Sequence, residues 1–396
     1  MANEPHLYHG RDLGRFLLGT AKPDTLNSFW SGACEHLSDE TSRVLVLNPG
    51  STSTKMGVYT PRGCEWERTI RHGDEELARF RGQPMLARLD YRAELIERAL
   101  DEAGYEGRGF AAVCGRGGLL PPMTCGTYLV EEAMVEELEL ARLGEHACNL
   151  GGLLALRFAQ AAGVNAYIVD PVTVDEWQDC ARLSGSPLVK RTSIGHALNT
   201  KAVARRFARA EGRSYESLRL IVIHMGSGIT VSAHRDGRMI DGNTIEEGPF
   251  GPDRTGGLPA RELVKLCFSG KYTEKEIDRH VFGDGGLFAY LGTRDLQEVE
   301  QRIDAGDAEA ALVLEAMVYQ IAKEAGAMVV VLQGRVDATL LTGGMAWSDR
   351  VVKLLRGYIE WIAPITVYPG EDELQALAEG VFRVLNSEEQ AKRMGS

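Results

Sequence analysis

The 396-residue sequence predicts an α/β fold made of two similar domains with a central cleft between them. Three observations lead there. Short apolar runs bounded by turn residues alternate with amphipathic stretches, as strands and helices do in layered α/β proteins, and the sheet is expected to be mostly parallel. A strand, small polar turn, strand unit occupies residues 43–59 and returns at 218–234, so the two halves read as versions of one plan. The composition, 44% hydrophobic and 25% charged residues, is that of a globular chain long enough for two domains.

The elements follow in order. Residues 1–42 are weakly periodic and form an N-terminal extension. Arg43-Val44-Leu45-Val46-Leu47 is a buried strand stopped by Asn48-Pro49-Gly50, and 55–59 resumes strand character. Residues 91–104 carry apolar residues at helical spacing and close on Gly104, which predicts an amphipathic helix. A strand at 110–114, an acidic helix at 130–143, a helix at 152–162 and a strand at 166–169 complete the first half. In the second half, strands at 218–223 and 229–234 flank the turn His224-Met225-Gly226-Ser227-Gly228, and residues 235–238 make a hairpin turn. A long helix at 308–327, strands at 329–332 and 338–341, a helix at 348–362 and a terminal helix from Glu373 end the chain. We expect domain I over 43–175 plus 373–396, and domain II over 176–372.

The net charge is −12, and without a Lys/Arg block this excludes a nucleic-acid partner, because phosphate backbones need clustered cations. No apolar run approaches the roughly 18 residues of a membrane span, and the opening residues do not read as a signal peptide. The seven cysteines are scattered and never in CxxC spacing, which favours reduced thiols and argues against zinc. A cytoplasmic protein is the expectation.

Several stretches could carry chemistry. Asn48, Ser51, Ser53, Thr54 and Lys55 concentrate hydroxyls and one cation after a buried strand, either as a phosphate or Mg²⁺-water turn or as an ordinary polar hairpin. Glycine turns at strand ends recur in Gly226-Ser227-Gly228, after His224, and in Gly343-Gly344. Three such turns in two matched domains favour a nucleotide triphosphate clamp. The Gly- and Pro-rich segment 246–259 carries Arg254, which could stabilise a phosphoryl group or simply pair with Asp253. Arg116 and Asp170 each follow a strand, at the edge where open α/β sheets bind ligands; Asp170 could equally be a helix cap or Asx turn. His196 precedes an amphipathic run and is either structural or catalytic.

Taken together, the segments 44–59, 113–122, 167–172, 191–206, 224–241, 246–259, 264–277, 341–347 and 367–380 resemble the acetate/butyrate kinase family, within the actin-like, RNase H-like ATPases. The resemblance implies reversible transfer of the ATP γ-phosphoryl group to a short-chain carboxylate, giving an acyl phosphate and ADP. By that resemblance Asn48 organises phosphate and Mg²⁺, and Arg116 and Arg254 flank the phosphoryl group and the carboxylate. His196 stabilises the transferred group, Asp170 sits beside the acceptor, the turn at Ser227 contacts phosphates and Gly343-Gly344 lies near the adenosine. An acid among Glu371, Asp372 and Glu373 serves Mg²⁺, with Glu371 and Glu373 taken as candidates. A homo-oligomer, dimer or larger, is also implied.

These roles agree with the chemistry, since a carboxylate needs no general base and the work is to bring two anions together and neutralise them. The Gly115-Arg116-Gly117-Gly118 and Ser227 variants favour a butyrate-type enzyme but leave chain length and branching open. Two rivals remain: a non-catalytic nucleotide-binding sensor or scaffold of the same fold, and a kinase for a hydroxyl acceptor that would use Asp170 or Asp253 as base.

Overall fold

The computed structural model describes residues 42–105, 109–244 and 247–395, so the extension lies, but for Ser42, outside the described residues. These residues form two compact units. The first holds the chain up to Pro121, Gly126–Pro171 and the stretch from Leu377 onward; the second holds Pro122–Cys125 and Val172–Ala376.

The first unit is built on a six-stranded sheet of β1 (Arg43–Pro49), β2 (Ser53–Thr60), β3 (Gly63–Arg71), β4 (Phe110–Arg116), β5 (Thr127–Leu129) and β6 (Asn165–Val169), in the order β3-β2-β1-β4-β6-β5. Val44 to Leu47 of β1 are buried, which is why a continuous apolar run, not an alternating one, marks this central strand. Its helices are α1 (Asp74–Ala78), α2 (Leu89–Glu102), α3 (Glu132–Leu140) and α4 (Asn149–Ala162). Leu89, Ala93, Ile96 and Leu100 of α2 make the buried stripe that the helical spacing predicts.

The second unit repeats the plan with β7 (Arg219–Met225), β8 (Ile229–Arg235), β9 (Arg238–Gly242), β10 (Ala338–Gly343) and β11 (Ile365–Pro369), in the order β11-β10-β7-β8-β9. Around it lie α5 (Ala197–Ala210), α6 (Ala260–Cys267), α7 (Glu274–Val281), α8 (Gly286–Leu291), α9 (Leu296–Asp304), α10 (Ala308–Val331), α11 (Asp349–Ile359) and α12 (Glu373–Leu385), the last divided between the units after Ala376. Alternate residues of β7 serve opposite faces. Leu220 and Val222 pack with Val203 and Phe207 of α5, whereas Ile221, Ile223 and Met225 join the core of α10 and α11.

Four features differ from the sequence reading. Neither sheet is mostly parallel: β1, β4 and β6 run parallel, but β2, β3 and β5 pair antiparallel, and in the second unit β7, β10 and β11 are parallel while β8 and β9 are not. The three residues between β1 and β2, 50–52, allow only a hairpin, and hairpins force antiparallel neighbours. Residues 329–331 are helix, not strand. α10 continues to Val331 because Met328 and Leu332 bury against the same core as the turns before them, and that packing overrides the β-branched preference of Val329, Val330 and Val331. The strands β3, β5 and β11 are absent from the sequence reading; all are edge strands, β3 exposed and rich in charge, β5 only three residues long and β11 half-buried, so none leaves a long buried apolar run. Finally, His224 and Met225 belong to β7, so the turn proper is 226–228.

Among the described residues, no helix is long and apolar enough to cross a membrane. None of the described cysteines forms a disulfide.

Candidate active site

In the second unit, five segments meet at the turn between β7 and β8. The turn is closed by Gly226 N–H donating to the Gly228 carbonyl at 3.1 Å, and it leaves Ser227 exposed between two buried glycines. Gly228 has no room for a side chain. A Cβ there would overlap Arg254 Nη1 and come 3.1 Å from His196 Cε1, so the guanidinium and the imidazole converge on one point of backbone.

Each is held there. His196 sits at the N-terminus of α5, and its Nδ1 bonds Thr230 Oγ1 of β8 at 2.9 Å. Its ring stacks on that of His224, with centroids 3.9 Å apart and planes 14° from parallel. Asn199 Nδ2 donates to the Glu371 carbonyl at 2.9 Å, so its Oδ1 is the acceptor for His224 Nδ1, also at 2.9 Å. The Glu371 carboxylate lies 3.5 Å from His224 Nε2 and next to Gly226. Arg254 is placed by an isolated bridge between its backbone and Phe282, and its guanidinium rides over the Phe282 ring at 4.6 Å. Burial lowers the pKa of Arg254, opposed by the charge of Asp253.

The turn after β10 closes the arrangement. Gly343 packs its backbone directly on that of Met225, exchanges hydrogen bonds with Gly370 at 3.0 Å, and leaves Gly344 exposed with open space beside it. Glu373 begins α12 and is half-buried, while Asp372 is exposed and ion-paired with Arg206 at 3.1 Å.

In the first unit, the turn after β1 is held from behind by Arg92 of α2. This guanidinium is wholly buried; Nη2 donates to the Gly50 carbonyl at 2.7 Å and to Ser51 at 3.4 Å, and Nη1 donates to the Ser53 carbonyl at 3.3 Å and to Thr54 Oγ1 at 3.0 Å. Hydrogen bonds from a charged donor are worth about 1.5–3 kcal/mol each. Thr54 Oγ1 also bonds His72 Nε2 at 2.9 Å; since it accepts from Arg92, it donates to the imidazole. Burial, then the charge of Arg92, pushes the His72 pKa down to about 4, so the ring is neutral. Thr54 is therefore fully engaged inside the fold, not available to a ligand. Ser51 and Lys55 are exposed, and Asn48 and Ser53 are half-buried.

Arg116 ends β4 and is buried. The first turn of α4 lies so close to it that a Cβ on Gly151 would overlap the Arg116 carbonyl, and one on Gly115 would overlap that of Gly151. Gly117 is likewise pressed against Pro171 and Gly118 against Asn149. Asp170 is fully buried, has a left-handed φ of 38°, and accepts the Gly126 N–H at 2.7 Å. Such backbone strain costs on the order of 1–3 kcal/mol and concentrates at functional sites.

The geometry thus gathers His196, His224, Gly226, Ser227, Gly228, Arg254, Glu371 and Gly343-Gly344 in the second unit, and places Asn48, Ser51, Ser53, Thr54, Lys55, Arg116 and Asp170 in the first. Sequence reasoning missed Thr230, Asn199, His72 and Arg92. Only Arg92 left a signal: it lies three residues after Leu89 and four before Ile96, on the apolar stripe of α2, where a charged residue needs a reason.

Comparison with known proteins gives the family and the fold. Residues 188–361 match the acetokinase family. The chain is 48% identical over 352 residues to butyrate kinase 1 of Clostridium acetobutylicum and 46% identical to a probable butyrate kinase of Clostridium botulinum, in each case over 88% of this chain and 99% of the relative. Among solved structures it resembles Porphyromonas gingivalis acetate kinase, with a TM-score of 0.71, 19% identity and coverage of 86% of this chain and 99% of that one. A propionate kinase of Francisella tularensis gives a TM-score of 0.68 at 18% identity, with coverage of 85% and 98%. These two share the fold, an actin-like α/β architecture of two domains. By its curated relatives, the chain belongs to the acetokinase family, alongside its butyrate kinases, and is a carboxylate phosphotransferase.

Proposed function

We propose that the protein transfers the γ-phosphoryl group of ATP reversibly to a short-chain carboxylate of butyrate type, giving an acyl phosphate and ADP. The observation that carries the reading is the convergence of Arg254 and His196 on Gly228, in a chain so similar to butyrate kinases. A carboxylate oxygen attacks the γ-phosphorus, the bond from that phosphorus to the bridging oxygen breaks, and ADP leaves with the electron pair.

The protein's part is placement and charge. Arg254 presents a fixed fork to the equatorial oxygens, and its burial strengthens the charge it offers. His196, held by Thr230, stabilises the transferred group. Gly226, Ser227 and Gly228 contact phosphates, Gly343-Gly344 flanks the adenosine, and His224 supports His196 from beneath. In the first unit, Arg116 takes the carboxylate, Asp170 positions the metal or orients Arg116, and Asn48, Ser51, Ser53 and Lys55 serve phosphate, with Thr54 as support.

Mg²⁺ belongs to this reading as the ion that neutralises phosphate oxygens. Among the described residues, no group of three His, Cys, Asp or Glu converges to form a metal cage. A nucleotide-borne Mg²⁺ does not need one, because it keeps waters and phosphate oxygens and takes one or two protein ligands. Glu371, with a partly exposed carboxylate beside the Gly226 turn, fits that requirement best; Glu373 and Asn48 are further candidates.

The same reading places the enzyme in the cytoplasm as a homo-oligomer, dimer or larger, with small-molecule partners and neither nucleic acid nor membrane. The test is hydroxamate trapping with ATP, Mg²⁺ and a ladder of acids from acetate to isovalerate. Trapped acyl phosphate peaking at four or five carbons supports a butyrate-type kinase. No signal with any acid despite ATP binding overturns it in favour of a nucleotide sensor, and turnover on alcohols alone would point to a hydroxyl acceptor.

A further inference from the structure

We infer that Arg92 is a positioning residue for phosphoryl transfer, acting through the turn 50–53 by drawing its carbonyl groups inward and thereby aiming its N–H groups at the substrate's phosphate. The inference rests on the carboxylate kinase reading and deepens it.

The physical basis is peptide planarity. A trans peptide sets C=O and N–H on opposite sides, so a carbonyl pulled one way turns the next residue's N–H the other way. Arg92 Nη2 holds the carbonyls of Gly50 and Ser51, which turns the amides of Ser51 and Thr52 outward, and both of these residues are exposed. The Thr52 carbonyl is held inward too, by His72 N–H at 2.9 Å, and the Ser53 carbonyl is shared by Arg92 and Gly50 N–H. Successive outward amides form a nest, a concavity that binds anions.

The construction needs a guanidinium. One planar group reaches three carbonyls and a hydroxyl at fixed angles, which an ammonium cannot do. The cation is backed by a chain of donated hydrogen bonds. Arg92 gives to Thr54, Thr54 to His72 Nε2, His72 Nδ1 faces Tyr91 Oη at 3.4 Å, and Tyr91 gives to Glu76 at 3.0 Å. Among the described residues, no carboxylate is ion-paired with Arg92, whose hydrogen bonds all go to neutral oxygens of the turn and Thr54. Its charge is thus left to act on whatever anion the turn receives.

The experiment compares the full chain with Arg92→Met and Arg92→Lys in two ways: turnover with ATP and the best carboxylate, and hydrogen–deuterium exchange of the amides of 50–54 with and without ADP plus inorganic phosphate. We expect Arg92→Met to lower kcat per folded molecule by about 100-fold with the carboxylate KM within about threefold, the pattern of lost alignment. We expect Arg92→Lys to recover part of that loss. Exchange at 50–54 should quicken in both variants, and phosphate should slow it in the wild type but not in Arg92→Met.

A kcat and KM within about twofold of wild type would overturn the inference, as would a loss explained wholly by fewer folded molecules. If Arg92→Met does not fold, Arg92→Lys decides by the same criteria. If the wild type phosphorylates no carboxylate, the functional reading falls, and the exchange arm then judges Arg92 alone. Phosphate protection lost with Arg92 supports the nest, and its absence in the wild type overturns it.

Discussion

The two units use one strand plan and two different turns. In the first, β3-β2-β1-β4-β6 runs antiparallel, antiparallel, parallel, parallel; in the second, β9-β8-β7-β10-β11 does the same. The turn after β1, residues 50–52, is polar and held from behind by the buried charge of Arg92. The turn after β7 has the same length, but is made of Gly226, Ser227 and Gly228 and is flanked by Arg254 and by a stacked histidine pair. The repeated part is what backbone hydrogen bonding and core burial demand of any such sheet. The parts that differ are those to which the proposed function assigns phosphate binding, so on that reading the chemistry of each unit is written in its turn and not in its strands.

Three experiments sharpen that contrast. The largest effect is expected from Arg254→Ala, because the side chain that reaches the second turn is then lost; kcat should fall roughly 10³-fold or more, with an unchanged melting temperature. Near-wild-type turnover would remove Arg254 from the phosphoryl group.

Next comes Gly228→Ala. The new methyl displaces the end of the Arg254 side chain and crowds His196 without touching the core, so kcat should fall about 100-fold while stability holds. A variant that unfolds instead would mean that the glycine serves the fold.

The smallest effect separates the units by pH. The His72 pKa is about 4 in the folded state, below the ordinary histidine value of 6.5, so between pH 6.5 and pH 4 the unfolded chain binds the proton that the folded chain refuses. The stability contributed by neutral His72 is full above pH 6.5 and is lost as pH falls toward 4. His72→Gln should flatten part of the decline in melting temperature across that window, and an identical slope in both proteins would show that His72 is not the group responsible.

Much of the fold was legible because its signals are local. The runs 43–47, 110–114 and 218–223 are apolar without alternation, and all three are central strands. The hairpin at 235–238 was equally plain, since Asp236 and Gly237 both adopt positive φ, as an Asp-Gly turn permits. Residues 329–331 misled for the opposite reason: three valines favour a strand by themselves, and only the core that receives Met328 and Leu332 makes them helix. In the site, Arg254 and the glycine turns stood out by type and spacing, whereas His196 by itself reads as structural or catalytic and takes a role only from the family resemblance. Thr230 and Asn199 did not, because a hydroxyl or amide that orients a ring carries no mark until the ring is placed beside it.

The sequence by itself determined the central strands, the internal repeat, the family, and the cations and glycines to which the proposed phosphate chemistry is assigned. Each of these depends on residue type and on neighbours a few positions away. Only the tertiary structure decided that Arg92 lies behind the first turn, that Thr54 is a support, and that His224 stacks beneath His196. Those facts join residues far apart in the chain, through contacts that exist only once burial has set which side chains lose water and must find partners in one another.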